Sequence, residues 1–502
     1  MMTKIMNYNL FIASVLCLIM SGCYKDKGNY VYEDVNPITI KDEAVTEKLF
    51  AQPGSSLQLN PALELNGNED DLSFQWFAYL NSSAASYSQD STLIATSRRL
   101  DYIVDPSVFT VGEDYKLTYK VTQKKTGVSY FYFYQLSVSD KYTVGWIFLE
   151  DKATKADLSM ISRSGEVIHN IYTETNPDYP LKNPTSFTIS HESVSDQVGR
   201  DGKRFYITTE DDAIELDGLT MTKRFDYNYL FFVPPSLKKP SYIGWAGGTG
   251  NLAGILINDG KLHVNMVGGF PGAKKFGAPL SSPQGDYDYD LASQTISGTE
   301  YTDLYQIFMF DKKHRRFFDV KPNALRRFDD AVQDLDIIDL NNVRMDLIKM
   351  DSSHNNVIRN AVMKGLDNET YLLTFKTTRK GEETITESKQ KLNAPYLSDA
   401  LDLTCSTLAP HIYYAHDGKL YRYEITSDNY TVGYTFPATE VTTKIKFQKH
   451  GYGNAQARLI ACTWNGSEGK VYYFKVNPNG SIGELDKTFT GFGKIVDLAF
   501  KY

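Results

Sequence analysis

The feature that most constrains this chain is a weak repeat of about fifty residues along residues 141–502. Gly260-Lys261-Leu262-His263 follows Asn258-Asp259, Gly418-Lys419-Leu420-Tyr421 follows His416-Asp417, and Gly469-Lys470-Val471-Tyr472 follows Ser467-Glu468. Each is a tight turn between apolar strand-like runs, with Gly254–Ile257 before the first, Ile412–Ala415 before the second and Leu459–Thr463 before the third. Gly202-Lys203-Arg204-Phe205 is a looser copy, and degenerate turns fall near Lys152, Lys313 and Asn368. The turn positions 152, 202, 260, 313, 368, 418 and 469 are separated by 50, 58, 53, 55, 50 and 51 residues. A unit of that length holding several short strands suits one blade of a β-propeller, and seven units fill the region. A string of β-sandwiches would repeat at about a hundred residues instead.

The ends of the region agree with a ring. Val144-Gly145-Trp146-Ile147-Phe148-Leu149 reads as a strand at its start, and Ile495-Val496-Asp497-Leu498-Ala499-Phe500 as a strand beyond the last turn. An open ring would expose sheet edges. The pattern therefore predicts that 495–500 pairs within the blade spanning 144–172. One segment breaks the rule: Asn323 to Met350 carries Leu325, Phe328, Ala331 and Val332 at helical spacing, which predicts a short helical insertion between blades.

Residues 38–140 alternate differently. Leu72, Phe74, Trp76 and Ala78 form one apolar face, and Tyr115, Leu117, Tyr119 and Val121 another. Val128, Tyr130, Tyr132, Tyr134, Leu136 and Val138 form the next, after a turn ending at Gly127. Two alternating runs around a glycine turn make a hairpin, and a Trp on a mid-domain strand suggests an immunoglobulin-like sandwich, here without its paired cysteines. Phe131 and Phe133 point to the opposite side of their strand. A strand with aromatics on both faces buries both or exposes a patch. The nearness of the next domain favours cover by that domain over a ligand platform. The reading is all-β: a sandwich over 38–140, then a seven-bladed β-propeller over 141–502.

The first residues set the compartment. Lys4, the apolar run Leu10 to Met20 and the small residues Ser21-Gly22 make a secretory signal over 1–22, too short to span a membrane. Cys23 stands directly after the cleavage point, as in a bacterial lipoprotein signal whose cysteine is acylated. Each buried acyl methylene contributes about 0.8 kcal/mol, so several chains hold a protein at a membrane. Residues 23–37 are polar and turn-rich, a tether. Removing 1–22 leaves 52 basic against 61 acidic side chains, a net charge of −9, which argues against nucleic acid. Only Cys405 and Cys462 remain to pair or stay free, and the sequence does not decide between these.

Cys23-Tyr24-Lys25-Asp26-Lys27-Gly28-Asn29-Tyr30 followed by Ile38-Thr39-Ile40 resembles the opening of the Bacteroidetes-type PKD-like family lipoproteins. The resemblance covers roughly residues 23–140. It implies a PKD-like sandwich after the acylated cysteine, a β-rich C-terminal region and company with SusC/SusD-type uptake systems. It carries no catalytic residues across. The implied address is the outer membrane, at the cell surface or facing the periplasm.

Chemistry-bearing motifs are sparse. None of the eight histidines falls in HExxH or a close Cys/His cluster, and Gly-x-Ser-x-Gly is absent. His411 and His416 sit at the ends of one strand, five apart and so on opposite faces. Asp286, Asp288 and Asp290 begin like a calcium loop, but an EF-hand needs Gly and Glu where Leu291 and Ser297 stand, so a solvated acidic loop is expected and no metal. Gly248-Thr249-Gly250 precedes a strand rather than a helix and reads as a blade turn, not a nucleotide site. No cofactor is expected. Trp245, Phe270, Tyr287, Tyr289 and Trp464 lie beside glycine-rich segments, where exposed aromatics would stack on sugars or peptide side chains and buried ones would fill gaps between blades.

Three functions follow as expectations. The first is a non-enzymatic surface lipoprotein that binds a glycan or glycoprotein for an uptake system. The second is a propeller hydrolase or lyase, betrayed by close carboxylates converging at one mouth of the ring. The third is a structural partner of an uptake complex, betrayed by an open apolar patch at Phe131 and Phe133.

Overall fold

The computed structural model describes residues 37–501 except 43–44, 46–47, 81–90, 112, 139–141, 143, 191–202, 247–252, 267–274, 298–306, 322–323, 354–356 and 450–456. The chain divides into two compact units, one ending at Asp140 and one beginning at Lys141.

In the first unit a five-stranded sheet runs in the order Leu49–Ala51, Ser129–Val138, Asp114–Gln123, Leu72–Leu80, Thr92–Ala95. Two small sheets, Thr39–Lys41 with Ala62–Glu64 and Ser56–Leu59 with Leu100–Ile103, complete the sandwich. The alternation read from the sequence sets which residues enter the core. Trp76 pairs with Tyr119 and Tyr119 with Tyr132, so these rings share the inner face. Trp76 stacks on Tyr119 at 4.3 Å between centroids, and its indole N–H donates to the Ser97 carbonyl at 3.0 Å. A buried indole thus keeps its polar atom satisfied.

Among the described residues the second unit holds seven sheets. Their first, innermost strands are Lys494–Lys501 (blade 1), Pro184–Ile189 (blade 2), Pro240–Ala246 (blade 3), Leu291–Ser297 (blade 4), Met345–Ser352 (blade 5), Asp402–Cys405 (blade 6) and Val441–Phe447 (blade 7). Six sheets have four strands, and blade 3 has three among the described residues. Each inner strand touches the next, and Val441–Phe447 touches Lys494–Lys501, so the succession closes. Closure rests on the predicted pairing: Lys494–Lys501 lies antiparallel to Gly145–Asp151, with Ile147 opposite Ala499.

Among the described residues, seven apolar clusters sit between successive blades. Alternate residues of one strand serve two clusters: Ile412 and Tyr414 pack toward blade 5, Tyr413 and Ala415 toward blade 7. The cluster that joins blade 7 to blade 1 contains Ile460, Cys462 and Val471 with Trp146, Phe148, Ile495 and Leu498. Because both faces of the middle strands are covered, those strands read as continuous apolar runs.

The repeat marks the hairpin between the second and third strands of a blade. Asp259-Gly260 and Asp417-Gly418 both have positive φ at each residue (46° and 69°; 46° and 66°), the mirror-image turn that matches strand twist. Blade 2 corrects the list. Position 202 lies outside the described residues, and the equivalent hairpin turn falls at 210–212, between Arg204–Thr209 and Ala213–Asp217.

The helical insertion is also corrected. Ala324–Arg326 is the outer strand of blade 4, and a short 3-10 turn at Asp330–Val332 follows. Aspartates break the helix. Asp329, Asp334 and Asp339 each accept a backbone N–H two residues on, from Ala331, Asp336 and Asn341. Such local bonds compete with helical ones. Phe328 and Val332 are still buried, in the cluster between blades 4 and 5.

Candidate functional site

The outer face of the five-stranded sheet carries exposed apolar side chains. Cross-strand pairing places Phe133 beside Thr118, Thr118 beside Phe77, and Phe77 beside Leu93. Lys120 lies beside Phe131, and Lys116 beside Tyr79. Phe131 and Phe133 are 52% and 53% exposed, and Leu93 49%. The two phenyl rings are parallel within 3°, with centroids 6.5 Å apart. The Lys116 ammonium sits over the Phe133 ring, 3.8 Å from its centre. That contact is a cation–π pair and occupies one face of Phe133. Thr118, paired with both Phe133 and Phe77, is buried.

The axis of the propeller gathers charge. Lys349 pairs with Asp402, and Lys449 with Asp351. The carboxylates also reach across blades. Asp351 accepts the Cys405 N–H at 2.8 Å, Asp402 the Ile445 N–H at 3.0 Å, and Asp497 the Phe187 N–H at 2.8 Å. The Gln294 side-chain oxygen accepts the Met350 N–H at 3.0 Å, and the Lys446 ammonium donates to the Leu498 carbonyl at 3.4 Å. Inner strands are sheet edges, and these side chains satisfy their backbone.

Burial pushes the Asp351 and Asp402 carboxyls up, but Lys449 and Lys349 outweigh it and hold both below the ordinary aspartate value. Burial lowers Lys446, although its side chain keeps surface open to solvent; the two together describe a group in the narrow space along the axis. Two-carboxylate hydrolysis needs one carboxyl held protonated near neutral pH. The lysine-paired Asp351 and Asp402 are instead held ionised.

A second polar contact was invisible in the sequence. The Ser159 hydroxyl donates to the buried Glu150 carboxylate and lies 3.0 Å from His169 Nδ1. Burial raises the Glu150 carboxyl. The acid bonds the serine and not the histidine, so the base is not oriented as a nucleophilic triad requires. Ser159 is itself fully buried.

The aromatics expected from the sequence are not brought together. Trp245, on the inner strand of blade 3, donates its indole N–H to the Tyr206 hydroxyl at 2.6 Å and packs between blades 2 and 3. Tyr289 is fully buried, donates to the Leu280 carbonyl at 2.5 Å and belongs to the cluster of blades 3 and 4, which corrects its reading as a stacking residue. Tyr287 is 53% exposed. Trp464 ends the second strand of blade 7, opposite Val441 and Gly469, and is half-buried. Phe270 and Cys23 lie outside the described residues.

Asp288 and Asp290 face a basic hairpin turn. Lys313 and His314 meet Asp288, the latter at 3.3 Å, and Lys312 meets Asp290 at 3.1 Å. The Lys313 bond holds the Asp288 carboxyl low. Asp286 accepts from the Ser282 hydroxyl and the Asp288 N–H. Cys405 and Cys462 are both free thiols, buried in different inter-blade clusters. Burial pushes the Cys405 thiol up to about 12.

Residues 23–184 match the model of the PKD-like family. The N-terminal part of this chain is PKD-like. The match runs past the sandwich to the start of the inner strand of blade 2, so it takes in the strands Gly145–Asp151, Ala156–Ser162 and Val167–Ile168 of blade 1. No curated protein matches the chain. Among solved structures, a quinonprotein alcohol dehydrogenase-like protein from Bacteroides thetaiotaomicron is 12% identical, with 91% of this chain and 97% of that one covered and a TM-score of 0.41. A candidate 6-phosphogluconolactonase from Bacteroides fragilis is 11% identical, with 72% and 98% covered and a TM-score of 0.44. At those scores the propeller assignment stands on the strand pairing described above.

Proposed function

We propose that this chain is a membrane-anchored extracytoplasmic lipoprotein that captures a polymeric nutrient or partner as an accessory of a SusC/SusD-type uptake system. The leader with Cys23 and the PKD-like N-terminal region support the address. The observation that carries the binding role is the aromatic pair on the outer sheet face: two parallel, half-exposed phenyl rings, one with Lys116 over its face. An exposed aromatic ring stacks on the apolar face of a sugar ring, and a lysine beside it adds a donor for hydroxyls or acidic groups.

Glycan and glycoprotein arrays probed with the mature protein test this. Binding that Phe131→Ala with Phe133→Ala weakens at least about tenfold supports it, since two stacking contacts together contribute about that much. Binding unchanged in the double variant contradicts it. The exposed Leu93, an aliphatic group in the same row, favours a second reading in which the face docks onto a protein of the uptake complex. In that case the arrays stay silent, and the same double variant loses partners recovered from native membranes. A turnover assay on any array hit tests the hydrolase or lyase alternative.

A further inference from the structure

Blade 2 is joined to blade 3 by the loop Tyr227–Lys239, which carries an apolar tip. Phe232, Val233 and Leu237 are 56%, 80% and 54% exposed, far more than a folded chain needs to leave in water at three neighbouring sites. The tip is held rigid from behind. Leu230 and Phe231 are buried, and the backbone from Leu230 to Phe232 pairs with Phe276, with N–H to O distances of 2.8 and 3.1 Å. Buried Asn258 clamps both ends: it accepts from the Tyr227 hydroxyl and the Lys239 N–H and donates to the Leu237 carbonyl, all at 2.8 to 2.9 Å. Pro234 and Pro235 fix φ between the exposed residues. A tip organised in advance loses little entropy on binding.

Cations accompany it. The Lys238 ammonium lies 5.2 Å from the Tyr227 ring, Lys275 lies 4.0 Å from the Tyr229 ring, and Lys239 is 67% exposed beside Asp259. Exposed apolar side chains accompanied by lysines match the chemistry of a bilayer surface, acyl boundary inside and phosphate outside. The charge complementarity of three lysines points to an anionic lipid surface as the occupant. We propose that this loop is an interfacial wedge that seats the propeller on an anionic lipid surface, independently of acylation at Cys23.

The test uses the full mature chain with Cys23→Ala, which cannot be acylated, and flotation with vesicles of phosphatidylcholine alone or mixed with phosphatidylglycerol. The expected result is flotation with the anionic vesicles, weakened about fivefold by each of Lys238→Ala and Lys275→Ala and weakened further by salt. Phe232→Ser with Val233→Ser and Leu237→Ser should abolish it while the melting temperature stays unchanged. No flotation with anionic vesicles, or flotation indifferent to the triple variant, overturns the proposal. Loop-dependent binding to a membrane protein but not to pure lipid also overturns it, in favour of a protein partner. None of these outcomes bears on Phe131 and Phe133, so the capture role is judged separately.

Discussion

Tyr413 and Phe133 both lie in the middle of a β-strand, yet the first is fully buried and the second half exposed. The difference is in what the two sheets have on their sides. The middle strands of each blade are covered on both faces by neighbouring blades, so an aromatic on either face there packs into a core. Trp245 and Tyr289 follow that rule, including their hydrogen-bonded polar atoms. Within its own unit, the five-stranded sheet of the PKD-like part packs one face on the core. Its fold is complete without Phe131 and Phe133, which makes those rings the better guide to function.

Removing residues 494–501 should produce the largest effect on this contrast. Blade 1 loses its inner strand, and the ring should lose its cooperative calorimetric transition while the PKD-like unit keeps its own. Asp402→Ala comes next. It leaves Lys349 unpaired and the Ile445 N–H without its acceptor, and should cost the ring about 3–5 kcal/mol in urea unfolding with little change in the first transition.

Acid should act on the same groups. Asp351 and Asp402 are held below the ordinary aspartate value, so the unfolded chain takes up their protons first as pH falls. Their contribution is full above about pH 4 and is lost as pH falls through the folded-state values. Asp402→Asn should flatten part of that acid slope in the ring's melting temperature. The smallest effect is expected from Phe131→Ala with Phe133→Ala, which should shift the stability of the first unit by no more than about 0.5 kcal/mol per site. A larger loss would mean that the rings belong to the fold after all.

Much of the architecture was legible because period-two alternation and Asp-Gly turns act locally. The strand at 495–500 was identified as the ring's closing element because a ring with open edges is unfavourable. Local spacing misled where side chains compete for the backbone: Leu325, Phe328, Ala331 and Val332 look helical until Asp329, Asp334 and Asp339 are seen capping their own turns. Phe131 and Phe133 could be picked out from the sequence by the second face they give their strand. The axial aspartates and lysines could not, since they come from blades 1, 5, 6 and 7, and their purpose is set by pairing between distant strands. The loop at Tyr227–Lys239 was equally hidden, because exposure there depends on Phe276 and Asn258 holding it in place.

The account depends most on the closure of the C-terminal unit, and one cross-link tests it. Ile147 and Ala499 lie opposite each other on the paired strands of blade 1. With Ile147→Cys and Ala499→Cys in a chain carrying Cys405→Ser and Cys462→Ser, mild oxidation should join the two new cysteines within one chain, detectable as a linked peptide by mass spectrometry. Failure of that disulfide to form in the folded protein would contradict a closed ring.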